Sequence, residues 1–368
     1  MYRIPPALSH LLLFIYRPRL RTPFIWLLLL AGIALAASAC SGSSDKEHKH
    51  TILAFGTLIE ITLFDTTEAK ANAAFDQLER NFHAYHASWT PWETSDLSRI
   101  NDAIRAGTEV VVPDSILPMV TASMALFEQS HGLFNPAIGN LINLWQMHLH
   151  EDPDIHPPDA QDIARMLQQN PRMSDIQIDG NVLQSSNRNV QLSLGAFAKG
   201  YAIDLSLDYL RSQGIENAVI NAGGDLRVAG RRGERAWRIG IRHPRADGVI
   251  AWLDATGGES IFTSGDYERF YHYDGKRYHH ILDPHTGYPA AGTSSVTAIH
   301  DNAGTADAAA TALFVAGPEH WHEIARAMGI RFVMLIDTEG RIHMNPAMQE
   351  RINLVNPESG HIVLSQPL

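Results

Sequence analysis

The chain has 368 residues, 45% of them hydrophobic and 19% charged, an ordinary globular balance with room for one large domain or two moderate ones. Its formal net charge of −11 excludes a general nucleic-acid or anionic-lipid surface, which clustered Lys and Arg would have to create. The single cysteine excludes an intramolecular disulfide and an all-cysteine metal site.

Met1 to Thr22 carries Arg3, Arg17, Arg19 and Arg21 and no acid, and Pro23 to Ala39 is apolar, ending in small residues directly before Cys40. A basic region, a short apolar region and a small-residue cleavage site predict a secretory signal over residues 1–39. Cys40 then reads as a lipidation site, its thiol acylated at the new N-terminus; the alternative is an uncleaved anchor helix of marginal spanning length. Ser41 and Gly42 after the cysteine favour the outer membrane over the inner, and either anchor leaves the folded body on the periplasmic side. Residues 40–50 form a lipidated terminus and polar tether, and residues 51–368 one folded domain.

Ile52 to Phe64 alternates with period two around a Gly-Thr interruption, which predicts a strand pair or a bulged strand. Thr67 to Ala87 sets Ala71, Ala74, Phe75, Leu78, Phe82 and Tyr85 at helical spacing. Helices are also predicted over Asp114 to Gln129, with Asp114 as N-cap, and over Asp159 to Gln169. Ile176 to Leu183 and Val190 to Leu194 read as β-structure, followed by a helix over Ala198 to Ser212 and a strand at Ala218 to Asn221. Further strands are expected at Trp237 to Arg242, Val249 to Asp254, Ser260 to Thr263, Ser295 to His300 and Phe332 to Ile336, with helices at Ala306 to Val315 and Pro318 to Met328. The elements lack a strict βαβ rhythm, so the predicted class is α+β.

Chemistry concentrates in a few segments. In Ser193-Leu-Gly-Ala-Phe-Ala-Lys-Gly-Tyr-Ala-Ile-Asp204 a strand end passes into a helix beside Lys199, where exposed N–H groups and a cation suit a phosphate, although such a turn is often only a turn. Asn221-Ala-Gly-Gly-Asp-Leu226 pairs glycines after a strand, which serves either a tight turn or close backbone approach to a ligand. Thr263-Ser-Gly-Asp-Tyr-Glu-Arg-Phe270 and Tyr278-His-His-Ile-Leu-Asp-Pro-His-Thr-Gly-Tyr-Pro289 gather hydroxyl, imidazole and carboxylate groups around turns, with Asp274-Gly275 as a hairpin turn between them. Asp307 and Thr311 stand four apart on a predicted helix, so their oxygens share a face that suits Mg²⁺, or else cap the helix and fill the core.

Together with AFGTLIEITLF, SWTPWETSDLSRIN and FNPAIGNLINLW, these segments occur in one order from Ala54 to Ile336, and the chain resembles the FAD:protein FMN transferases, the ApbE family. The resemblance implies an α+β fold with the flavin nucleotide in a cleft. It implies Mg²⁺ held by Asp307, Thr311 and the Ala196 carbonyl, and an FAD pocket built from Lys199, Ser193, Asn221, Gly223, Gly224, Asp225, Ser264, Gly265, Asp266 and Ile281, with Trp89 packing on the flavin or adenine. The family's Asp-Leu-Gly-Gly is here Ser193-Leu194-Gly195-Ala196, and the Met that often precedes its first Gly-Thr is Phe55.

The implied reaction is phosphoryl transfer from FAD to a Thr or Ser hydroxyl of an acceptor protein, with AMP leaving. His280 is the candidate general base, with Asp283 as its orienter or substitute, while His279 should face the other side of an extended strand. Hydrolysis of FAD to FMN and AMP, and flavin binding without chemistry, stay open as alternatives. The resemblance further implies an acceptor that is a subunit of an extracytoplasmic redox complex, with membrane contact through the N-terminal lipid.

Overall fold

The computed structural model describes residues 47–147, 151–152, 154–356 and 361–368; the signal segment, Cys40 and the first part of the tether lie outside the described residues. Period-two apolar patterning builds its main element, a sheet of nine strands. In chain order these are β1 (Glu47–Ala54), β2 (Thr57–Phe64), β3 (Asn217–Ala222), β4 (Asp225–Ala229), β5 (Ser260–Gly265), β6 (Thr293–His300), β7 (Phe332–Asp337), β8 (Ile342–Met344) and β9 (Ile362–Leu364). Their order across the sheet is their order in the chain, and neighbours are antiparallel except for β8 and β9.

The described helices are α1 (Glu68–Trp89), α2 (Asp96–Ala106), α3 (Leu117–Gln129), α4 (Gly139–Trp145), α5 (Ala160–Gln169), α6 (Gly195–Ser212), α7 (Ala303–Ala327) and α8 (Pro346–Arg351). Strand residues alternate between two cores. Ile59, Ile61, Leu63, Phe262, Val333 and Leu335 pack with α1, α6 and α7 on one face. Phe64, Ile261, Met334 and Ile336 face the other side, where the small sheet of Trp237–Arg242, Val249–Ala255 and Asn353–Leu354 covers them together with Met348 of α8. A third cluster joins Trp145 and Ile163 of α4 and α5 to Tyr271 and Leu282. The α+β class holds.

Several boundaries differ from expectation for local reasons. Strand β1 begins at Glu47, so Glu47 to His50 belong to the sheet and not to the tether, each paired with a residue of β2. Asp114 is not an N-cap: it sits in a turn in which the Pro113 carbonyl accepts the N–H groups of Ile116 and Leu117, and α3 starts after it with Pro118 in its first turn. Val190 to Leu194 forms no strand beyond a lone bridge between Gln191 and Ile138. By contrast, the two helices expected over 306–328 do form, as the two arms of α7 on either side of Gly317, whose φ of 68° breaks the helical path just before Pro318. Asp274 and Gly275 do turn the hairpin that pairs Tyr273 with Lys276.

Candidate functional site

Small residues let α6 and α7 cross with their backbones in contact. A Cβ at Gly200 would collide with the Ala303 carbonyl, and one at Gly304 would strike the Phe197 ring. One turn on from Gly200, buried Asp204 accepts the N–H groups of Ala303 (3.0 Å) and Gly304 (3.2 Å) and the Asn302 amide (2.7 Å), and it pairs with Arg227. A carboxylate at the N-terminus of α7 complements the positive end of its dipole and locks the crossing register. In that register the Gly200 N–H donates to Asp307 Oδ2 at 3.2 Å.

The neighbouring residue, Lys199, forms an ion pair with Asp225 at the start of β4. Gly223 and Gly224, with φ of 68° and 102°, make the two-residue turn that places Asp225 there, opposite Ala222. Asn221 holds this turn, its amide oxygen accepting the Gly224 N–H at 2.8 Å while its Nδ2 donates to Glu60. Asp225 Oδ1 also accepts the Thr263 N–H at 3.0 Å, which ties β4 to β5. The next residue on β5, Ser264, sets its hydroxyl 3.4 Å from that of Thr311, one turn beyond Asp307 on α7. Ala196 breaks the helical path in the first turn of α6 (φ −90°, ψ 16°), one turn before Gly200.

The charges are strongly coupled. Burial pushes the Asp307 carboxyl up to about 7, Lys199 pulling against this and Asp225 adding to it. Burial opposes the Lys199 charge, but the Asp225 and Asp307 carboxylates outweigh it and hold the ammonium above its ordinary value. His280 follows the strand Lys276–His279, and its N–H donates to the Arg269 carbonyl at 3.1 Å. Burial, then the Arg269 guanidinium and His279, keep its imidazole well below the usual range, so it is neutral at pH 7. Its buried Nδ1 has no hydrogen-bond partner among the described residues. His279 faces the other way, as strand alternation requires, with Nε2 2.9 Å from the Ala290 carbonyl and its ring edge-on to Phe314.

Among the described residues no group of three or more His, Cys, Asp or Glu side chains converges on a metal position. A cation here would rely on the mixed oxygens that α6 and α7 present, the Asp307 carboxylate, the Thr311 hydroxyl and the Ala196 carbonyl. That set suits a hard ion that completes its shell with water and phosphate. The raised Asp307 carboxyl fits the same ion, whose charge would remove the cost of ionising a buried acid.

Other expected site residues have partners within the chain. The Asp266 carboxylate is taken up by a bidentate pair with Arg245 (2.7 and 2.6 Å), whose guanidinium also reaches Ser294 Oγ at 2.8 Å. Asp266 therefore braces the loop after β5. Asp283 accepts the His285 N–H at 2.8 Å within its own turn and makes no hydrogen bond to His280 among the described residues. Trp89 is 3% exposed, stacked on Tyr85 at 4.5 Å and on Phe55 at 6.0 Å and tilted against Tyr201 at 5.8 Å, so its ring is core; Phe55, Tyr85 and Tyr201 are themselves half-buried. Ser193 is half-buried and its N–H donates to the Pro136 carbonyl at 2.8 Å, while the carbonyl of buried Ile281 accepts the Ala290 N–H at 2.9 Å. Gly265 admits the Tyr267 ring where a Cβ would clash.

Sequence reasoning assigned no role to Asp204, Arg245 or Arg269. Asp204 and Arg269 stood inside quoted segments; Arg245 carried no local signal, because its partner lies on another strand loop.

A lysine, two acids and two hydroxyls thus gather at a helix crossing beside glycine turns, on this nine-stranded α+β frame. The solved structure of the flavin transferase ApbE from Vibrio cholerae superimposes with a TM-score of 0.74 at 27% identity, covering 83% of this chain and 99% of that one. The chain belongs to the ApbE family, whose model matches residues 55–334. It is 39% identical over 330 residues to the FAD:protein FMN transferase of Rhodobacter capsulatus, covering 89% of this chain and 63% of that protein. It is 30% identical over 325 residues to the FAD:protein FMN transferase of Vibrio cholerae, covering 85% of this chain and 94% of that protein.

Proposed function

We propose that this chain is an FAD:protein FMN transferase, moving the FMN moiety of FAD to a Ser or Thr hydroxyl of an acceptor protein with release of AMP, in a reaction that depends on Mg²⁺. Family membership supports the flavin chemistry, and one observation carries the site: Asp307 meets Gly200 and the Lys199–Asp225 pair beside the Ser264 and Thr311 hydroxyls. In the reaction the acceptor oxygen bonds to the FMN-side phosphorus. The bond from that phosphorus to the bridging oxygen breaks, and AMP leaves with its electron pair. Asp307, Thr311 and the Ala196 carbonyl would hold the Mg²⁺, which when bound would supply charge neutralisation at the pyrophosphate.

The protein's own groups do the rest. Neutral His280, with an unpartnered Nδ1, accepts the proton that the acceptor hydroxyl loses. The Gly223–Gly224 turn lets backbone approach the nucleotide without side-chain interference, and Lys199 keeps Asp225 in place against β5. Incubation with FAD, Mg²⁺ and an acceptor protein tests this: the acceptor should become fluorescent in a denaturing gel as AMP appears in equal amount. Free FMN with an unlabelled acceptor would replace transfer by hydrolysis, and no FAD turnover at all would refute the enzyme.

We further propose that the chain is held on the periplasmic side through lipidated Cys40, with an extracytoplasmic redox subunit as acceptor. Palmitate labelling of whole cells that disappears in Cys40→Ala checks the anchor; label that persists in that variant refutes it.

A further inference from the structure

The cations around the cleft are mostly committed: Lys199 to Asp225, Arg227 to Asp204, Arg245 to Asp266, and Arg277 to Asp266 at 3.6 Å. Arg269 differs. Its carbonyl holds the His280 N–H, which fixes its backbone beside the proposed base, but its guanidinium has no hydrogen bond or ion pair among the described residues. The adjacent Glu268 points to Arg242 at 3.7 Å. The guanidinium lies close enough to both His280 and Lys199 to disfavour positive charge on each. It is exposed by area, yet nearby protein atoms partly desolvate it and draw it below the ordinary arginine value. An unpaired, partly desolvated fork of N–H donors is costly alone and is matched by a bidentate oxyanion.

We infer that Arg269 binds the phosphate group of a nucleotide diphosphate ester next to His280, the phosphorus that the acceptor hydroxyl attacks. This rests on the proposed FAD reading and makes it more specific. Lys199 is already neutralised by Asp225, so Arg269 supplies the free positive charge that receives the phosphoryl oxygens.

The test titrates wild type, Arg269→Lys and Arg269→Ala with FAD, ADP and riboflavin in the presence of Mg²⁺. Arg269→Ala should weaken FAD and ADP by roughly 10- to 100-fold and leave riboflavin, which has no phosphate, unchanged. Arg269→Lys should recover part of the loss. Wild-type affinity for FAD and ADP in Arg269→Ala overturns the inference, as does an equal loss for riboflavin, which would mark a structural role. Should Arg269→Ala not fold, phenylglyoxal modification of the wild type decides: ADP should slow reaction at Arg269, riboflavin should not, and absence of ADP protection overturns the inference. A wild type that binds no FAD defeats the proposed function instead, while ADP protection at Arg269 would stand without it.

Discussion

The N–H of Gly200 and the carboxylate of Asp307 meet at 3.2 Å across two helices that touch backbone to backbone. The acid that the site most depends on is therefore aimed by a residue with no side chain, because any Cβ at position 200 would enter the Ala303 carbonyl.

Gly200→Ala should push α6 and α7 apart and withdraw that N–H. The expected result is a fall in melting temperature equivalent to about 1–3 kcal/mol, the usual cost of overpacking, with flavin transfer lost more steeply than stability. Thermal unfolding and acceptor fluorescence measured on the same preparation check both.

Asp307 gives the metal-free protein a distinctive pH response. Its folded carboxyl is pushed up to about 7 from an ordinary 3.8, so in that window the folded chain keeps a proton that the unfolded chain has released. Stability contributed by this group is full below about 4 and is lost as pH rises through about 7. Melting temperatures of chelator-treated protein should show this decline, and Asp307→Asn should flatten it. Added Mg²⁺ should raise the wild-type melting temperature at pH 8 and leave Asp307→Asn, which is also expected to abolish transfer, unmoved.

His280→Ala should lower kcat by roughly 10²- to 10⁴-fold with little change in FAD affinity, the range for loss of a general base. Because burial and Arg269 hold this imidazole well below 6.5, wild-type kcat should not lose activity to its protonation between pH 6 and 7. A full pH–rate profile at saturating Mg²⁺ measures this, and an acid limb centred at an ordinary histidine value would count against the assignment.

Arg245→Ala leaves buried Asp266 with only the more distant Arg277. A cost of about 2–4 kcal/mol is expected, typical of stranding a buried carboxylate. Arg245→Lys should restore charge without the bidentate geometry and fall between the two in urea unfolding.

Much of this was legible in the chain. Glycine pairs, the Asp307–Thr311 spacing and the period-two strands are local properties, and they fold as their spacing dictates. Asp266 and Asp283 were harder because a carboxylate's role depends on what faces it. Asp266 meets Arg245, which arrives from the loop between two strands of the small sheet, and Asp283 turns back onto His285. Trp89 ends α1 on its apolar stripe, and its ring was claimed by Tyr85 one helical turn earlier. Arg269 escaped notice for the opposite reason, since its significance is the absence of a partner. The break at Gly317 fell where the sequence separated two helices, because a residue at φ 68° followed by proline cannot continue the helical path.

Asp204 closes a long circuit, reaching Asn302, Ala303 and Gly304 some hundred residues later in the chain. Every strand from β3 to β6 lies within that circuit, so the junction of the two helices spans the middle of the sheet in sequence. The catalytic junction is thus held by contacts of high sequence separation, whose loop-closure entropy the rest of the fold must offset. A chain interrupted before α7 retains the lysine with Asp225, the glycine turns and the proposed base, yet lacks Asp307 and Thr311. Proteolysis or translational arrest upstream of Asn302 should consequently yield fragments that are inert as well as incomplete.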